Sequence, residues 1–147
     1  MRIWHYKLLP YLPDLQLRGQ NRELVAIRND WRDKGTTNHI LINRVMDYGK
    51  DELVTYFHFY RGIYYRRYGK ILDDFEWNQF GEIKNIQDLK ENGLFHGWHN
   101  EDYARVCMCN LYEKYRFAVG KTKISDADWL RLCEGYKNTT GKDWALP

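Results

Sequence analysis

The sequence predicts a mostly α fold, a compact single-domain helical bundle with a long irregular segment around residues 71–98. Three observations carry that expectation. Apolar residues recur at helical spacing, as in Leu17, Leu24, Ile27 and Trp31, and a 3.6-residue repeat lays such positions near one face. Candidate helices open on acids and close on bases, which complements the helix dipole. No stretch sustains the apolar–polar alternation of a half-buried strand, and there is no internal repeat or low-complexity linker. A chain of 147 residues is expected to form one domain, 1–147, with one core.

The first helix is expected over Leu15–Trp31. Pro13 can open it, because its missing N–H would be unpaired there, and Asp14 suits the positive end of the dipole. Gly19 stands out, since glycine inside a helix costs roughly 1 kcal/mol relative to alanine. It lies one turn before Glu23, so something is expected to approach the backbone there. After a loop at Asp33–Thr37, Thr37 is expected to cap a second helix through about Asp47, with Ile40, Leu41, Val45 and Met46 as its apolar set.

A third helix is expected from Asp51 to Tyr68, with Asp51 and Glu52 in its first turn and Arg66, Arg67 and Lys70 around its end. Phe57, Tyr60, Tyr64 and Tyr68 share one side of it. Within 71–98, only Ile86–Asn92 reads as a short helix, stopped by Gly93. The fourth long helix is expected over Glu101–Phe117, with Tyr103, Val106, Cys107, Leu111 and Tyr115 inward. Ser125 caps the last, followed by Asp126 and Asp128, and that helix is expected to end near Gly135. Residues 141–147 form a tail holding Trp144.

The apolar runs fall far below the roughly 18 residues of a membrane span, and no signal-peptide pattern opens the chain. A cytoplasmic monomer without membrane association is therefore expected. Three cysteines argue against a disulfide framework. The net charge of +3 does not by itself announce a nucleic-acid partner. Aromatic content is more informative: 16% Phe, Trp and Tyr exceeds what one small core needs, so some rings are expected to face solvent or a ligand.

The polar side of the first helix carries Arg18, Arg22, Glu23 and Arg28, one carboxylate among three guanidinium groups. Taken alone, Arg22–Glu23 reads as an ordinary surface pair worth less than about 1 kcal/mol. The start of the chain changes that. Met1-Arg2-Ile3-Trp4-His5 shows no leader or tag pattern, and so short an approach to the helix is expected to tether the terminal amine near Glu23. An α-amine, with an ordinary pKa of about 7.7–8.0, is partly neutral at physiological pH, whereas lysine at about 10.4 is not. An amine nucleophile beside a carboxylate and arginines is a recognisable set for attack on a sugar C1′ through a Schiff base.

Other candidate residues have bland readings beside their functional ones. Arg61, Arg66, Arg67 and Lys70 can bind phosphates, and the rings between Tyr56 and Lys70 either stack on displaced bases or fill a core. His96, His99, Cys107 and Cys109 do not match a familiar zinc spacing, and no metal is expected. His99, Asn100 and Glu101 read as a helix start at the rim of a DNA groove, while His5 is open between a functional and a packing role.

The opening M-R-I-W-H, the R-E-L at Arg22-Glu23-Leu24 and the later aromatic and basic helices resemble the pyrimidine-dimer DNA glycosylase/AP-lyase family (endonuclease V of phage type). The resemblance is firm over roughly the first thirty residues. It implies a DNA-repair N-glycosylase with AP-lyase activity on damaged double-stranded DNA, pyrimidine dimers above all, with no cofactor. It also implies that the α-amine of Met1 is the nucleophile and Glu23 the essential carboxylate. Arg2, Arg18, Arg22, Arg28, Arg66, Arg67 and Lys70 are then the expected DNA contacts.

This chain departs from the family pattern in two ways. Where the phage enzyme exposes a small residue after losing its initiator, Arg2 is large enough to block removal of Met1, so the Met1 amine itself is expected to act. The family's histidine within the helix and its second arginine have only Gln16 and Arg28 as nearest counterparts. The alternatives are a glycosylase for a different modified base and a DNA-binding module on this scaffold that has lost turnover.

Overall fold

The computed structural model describes residues 1–147 and is built of helices without strands. Six α-helices follow one another: α1 (Asp14–Lys34), α2 (Lys50–Tyr68), α3 (Phe75–Phe80), α4 (Ile86–Asn92), α5 (Glu101–Arg116) and α6 (Asp126–Thr140). Short 3-10 segments lie at Tyr6–Tyr11, Ile42–Tyr48 and Gly120–Thr122. No helix is long and apolar enough to cross a membrane. The chain divides into two compact units, one of residues 1–3 and 18–96, the other of residues 4–17 and 97–147.

In the first unit, α1 buries Leu24 and Ile27 completely and runs to Lys34, three residues past the expected end. α2 has the expected acids in its first turn and Arg66 and Arg67 in its last. Gly69 closes it in the left-handed region (φ 68°), donating its N–H to the Tyr65 carbonyl at 2.8 Å. Its core side holds Leu53, Val54, Tyr56, Phe57, Tyr60 and Ile63. Trp77 on α3 stacks on Phe57 with centroids 4.5 Å apart, an anchor that makes a helix within a stretch expected to be irregular. α4 matches its expected bounds; Asn85 caps it by accepting the Gln87 N–H at 2.7 Å, and Gly93 stops it.

The expected second helix is not an α-helix. Thr37 turns its hydroxyl to Asn43 Oδ1 at 2.7 Å, and its backbone N–H donates to the same oxygen at 2.9 Å. The His39 N–H returns to Thr37 Oγ1 at 3.1 Å. Side chains of this kind offer the backbone an alternative to helix, and here the alternative wins until the 3-10 segment at Ile42. Ile40 and Leu41, expected inward, are 87% and 84% exposed.

In the second unit, Asn100 and Ser125 cap α5 and α6 by accepting the N–H groups of Tyr103 at 2.9 Å and Asp128 at 3.1 Å. α5 buries Ala104, Cys107, Met108 and Leu111, whereas Val106, expected inward, is exposed. α6 does not end at Gly135 but passes through it to Thr140, with Gly141 as the left-handed cap at φ 76°. Gly135 is a packing notch: a Cβ there would collide with the Tyr11 ring. Trp144 sets its edge against Trp129 and Tyr136, tying down the tail.

His5 and His99 belong to a stack of rings in this same unit, 5.1 Å apart, with Tyr6 and Tyr103 beside them. His5 Nδ1 accepts the Lys7 N–H at 3.1 Å, and His99 Nδ1 accepts that of Tyr6 at 3.1 Å. Burial lowers the His5 pKa to about 4, so this ring is neutral. His99 is thus buried rather than at a groove rim, and the helix start belongs to Asn100. No group of three or more His, Cys, Asp or Glu side chains is gathered as a metal ion would need.

Candidate active site

Met1, Arg2, Arg18, Arg22, Glu23, Arg28, Arg66, Arg67 and Lys70 all lie in the first unit, whereas His5 and the His99–Glu101 stretch belong to the second. The centre of the first set is the middle of α1. Gln20 and Glu23 are one turn apart, and residues at that spacing share a face. The beginning of the chain is fastened to that face. The Arg2 backbone N–H donates to Glu23 Oε2 at 3.3 Å, and the Arg2 carbonyl accepts from Gln20 Nε2 at 2.8 Å. Ile3 is wholly buried, whereas Met1 is 44% exposed.

Glu23 is half-buried, and burial raises its pKa from the ordinary carboxylate value. The opposing influences are the Arg2 N–H, then the charges of the terminal amine, Arg2 and Arg22. The amine is therefore near enough for its charge to act on the carboxyl. Nearby arginines favour the carboxylate form, but desolvation outweighs them. The site thus brings together a partly exposed first residue and a carboxyl whose pKa is raised by burial.

Gln20, which nothing but its spacing singles out in the sequence, and Tyr56, the first of the α2 rings, complete this centre. Both are wholly buried, and the Tyr56 hydroxyl donates to Gln20 Oε1 at 3.1 Å. Gln20 Nε2 also reaches Glu23 Oε2 at 3.3 Å. The only signal in the sequence is the three-residue spacing of Gln20 from Glu23. Tyr60 is also buried, and desolvation raises its hydroxyl pKa strongly.

The basic residues separate into two kinds. Arg22 is exposed beside Glu23, and Arg18, also exposed, lies over the Tyr68 ring at 4.6 Å. Arg66 and Lys70 are exposed and Arg67 half-buried around the end of α2. Arg28 differs: it is 4% exposed, bonded to Glu76 at 2.5 Å and to Asn29 at 3.0 Å, and set over Trp77. It is not part of an open basic face, because the α3 segment bearing Glu76 and Trp77 covers it. Arg61 is also engaged, with Nε on the Leu72 carbonyl at 2.7 Å. Arg28, Trp77 and Asn21 help line a pocket of about 240 Å³. That is small against the usual ligand cleft of roughly 300–1,000 Å³.

The aromatic question also resolves by position. Tyr56, Phe57 and Tyr60 are core, while Phe59 and Tyr65 are 39% and 51% exposed. Gly19 has no atom within 4 Å of where a Cβ would stand, so no part of the protein makes the close approach that its presence led us to expect.

Residues 1–72 match the model of one family, described as Pyrimidine dimer DNA glycosylase. No curated protein and no solved structure matches the chain.

Proposed function

We propose, from the match of residues 1–72 to the pyrimidine dimer DNA glycosylase family, that this chain removes damaged bases from duplex DNA and then cuts the strand. Pyrimidine dimers are the first substrate to test. The observation that carries the reading is the meeting of the chain's beginning with Glu23: the Arg2 N–H on its carboxylate and the amine's charge within reach.

In this mechanism the neutral Met1 amine attacks C1′ while the glycosidic C1′–N bond breaks, and the base departs with the bonding pair and takes up a proton. Loss of a proton from the new C–N⁺ centre and opening of the sugar ring leave an imine between Met1 and C1′. Removal of a C2′ proton then expels the phosphate on C3′ by β-elimination, and water hydrolyses the imine to release the enzyme. Glu23 as carboxylate stabilises the positive charge that develops on the sugar. Its raised pKa suits it to take and return protons in the later steps. Arg2, Arg18, Arg22, Arg66, Arg67 and Lys70 bind phosphates and favour a bent duplex from which the target nucleotide leaves the stack. Arg28 is left out of this set because its charge is spent on Glu76.

Borohydride reduction tests the proposal. Protein with a native start, confirmed by mass, is mixed with abasic or ultraviolet-irradiated duplex and reduced; a covalent adduct on the Met1 peptide is expected. Glu23→Gln and an extra residue before Met1 are each expected to suppress it. Binding without an adduct would make the chain a DNA-binding module, and an adduct mapped to a lysine would overturn the site.

A further inference from the structure

We propose that Gln20, aimed by Tyr56, is the positioning residue of this site: one buried amide holds the Glu23 carboxyl and the Arg2 carbonyl in a fixed register, and so sets where the terminal amine stands. The inference rests on the reading of Met1 and Glu23 given above. A glutamine side chain has one acceptor end and one donor end, and nothing intrinsic fixes which way round it sits. Here Tyr56 decides. Its hydroxyl donates to Oε1 at 3.1 Å, which turns both N–H bonds of Nε2 the other way. Those bonds go to the Arg2 carbonyl at 2.8 Å and to Glu23 Oε2 at 3.3 Å.

The flipped amide would set Oε1 against two other acceptors, and in a wholly buried position that conflict has no water to relieve it. A glutamate at position 20 would place a second carboxyl against Glu23. An apolar residue would remove a side-chain link from α1 to both the Arg2 carbonyl and the Glu23 carboxyl. The arrangement therefore specifies an amide of one orientation, with a core tyrosine on α2 as its orienting group.

A buried amide that merely filled space would affect stability and nothing else. Two further readouts separate the cases. The first is the pKa of Glu23 in the free protein, followed by carboxyl carbon-13 resonances in wild type, Gln20→Leu, Gln20→Glu and Tyr56→Phe. Losing the Nε2–H donor is expected to raise it in Gln20→Leu, a second carboxyl to raise it further in Gln20→Glu, and a loosened amide to raise it least in Tyr56→Phe. The second is the rate of borohydride trapping on abasic duplex at saturating DNA. It is expected to fall roughly ten- to a hundredfold in Gln20→Leu, the scale of a misplaced reacting group, with DNA affinity unchanged. The acid limb of its pH profile is expected to move with the Glu23 pKa.

Folded Gln20→Leu with an unmoved Glu23 titration and trapping within about twofold of wild type would overturn the inference. Tyr56→Phe, which removes one oxygen, keeps the test open if Gln20→Leu fails to fold; an unmoved titration there is equally fatal. If Glu23 shifts as expected while wild type is never trapped, the amide's hold on the carboxyl stands and the nucleophile assignment falls instead.

Discussion

Glu23 and Glu52 are two carboxylates of the same unit, and they are held in opposite ways. Glu52, 4% exposed, accepts from the Phe95 N–H at 2.6 Å and from Lys84 Nζ at 2.7 Å. Bonds that short to a charged acceptor are strong, and they are used to hold Phe95 at φ 53°, a left-handed conformation that a bulky residue rarely takes. Glu23 is half-buried; the donors from Arg2 and Gln20 both fall on Oε2 at 3.3 Å, and burial raises its pKa. One carboxylate is consumed by the fold. The other is positioned by it and left with capacity to act.

The largest expected effect breaks that comparison if it fails. Glu23→Gln should lower trapping and strand cutting by about 10²–10⁴-fold, the usual span for a general acid or base. It should not destabilise the fold at neutral pH. Because the folded-state pKa lies above the unfolded one, ionising Glu23 costs the folded state relative to the unfolded. Removing the charge is thus expected to stabilise at pH values above the folded pKa, and the gain should shrink as pH falls towards the ordinary carboxylate range. Urea titrations of both proteins at neutral and acidic pH measure it; a Glu23→Gln protein less stable at pH 7 would mean the carboxylate is structural after all.

His5 extends the comparison to a group held neutral by burial for the sake of packing. Its pKa drops from 6.5 to about 4 on folding, so the stability it contributes is fully present above pH 6.5. That contribution is lost as pH falls towards about 4, a total of about 3 kcal/mol. His5→Asn keeps an acceptor for the Lys7 N–H and has nothing to titrate. Its stability between pH 7 and 4 should decline less steeply than that of wild type. Parallel curves would show that His5 protonates as easily folded as unfolded.

Glu52→Gln completes the pair with the reverse signature of Glu23→Gln. The amide can still accept the Phe95 N–H, but Lys84 keeps only Asp88 as a charged partner, and a loss of about 2 kcal/mol is expected in urea. Trapping per folded molecule should be unchanged.

What the sequence made legible follows from the same contrast. Local signals were sufficient for the acids and bases at the two ends of α2, the Ser125 cap and the Gly93 stop, because each acts within a turn or two of itself. Periodicity also exposed the apolar face of α1. It could not show that α3 would bring Glu76 and Trp77 over Arg28, since that depends on residues nearly fifty positions away. Nor could it separate Tyr56 and Tyr60 from Tyr65, because a ring-rich helix looks the same whether its partner is protein or DNA. Glu52 read only as a first-turn acid that complements the dipole, for the same reason: Phe95 and Lys84 are distant in the chain. The Met1–Glu23 expectation came from the brevity of the opening and the family resemblance, while Gln20, the link between them, carried no signal beyond its spacing.

The smallest expected effect concerns the helical glycines, which composition alone cannot tell apart. At Gly135 a Cβ would strike the Tyr11 ring, so the glycine is explained by packing. At Gly19 it would meet open space, and the backbone there is helical and unstrained. Alanine at position 19 should therefore stabilise the protein by up to about 1 kcal/mol, through higher helix propensity and a less free unfolded chain. The folded protein itself gives no reason for a glycine at that position. The proposed function supplies one: close passage of the DNA backbone over the turn before Glu23. Gly19→Ala is then expected to raise the melting temperature while weakening affinity for abasic duplex, without changing the Glu23 titration. A stabilised variant that binds and traps DNA as wild type does would remove Gly19 from the binding face and leave its presence without a physical reason.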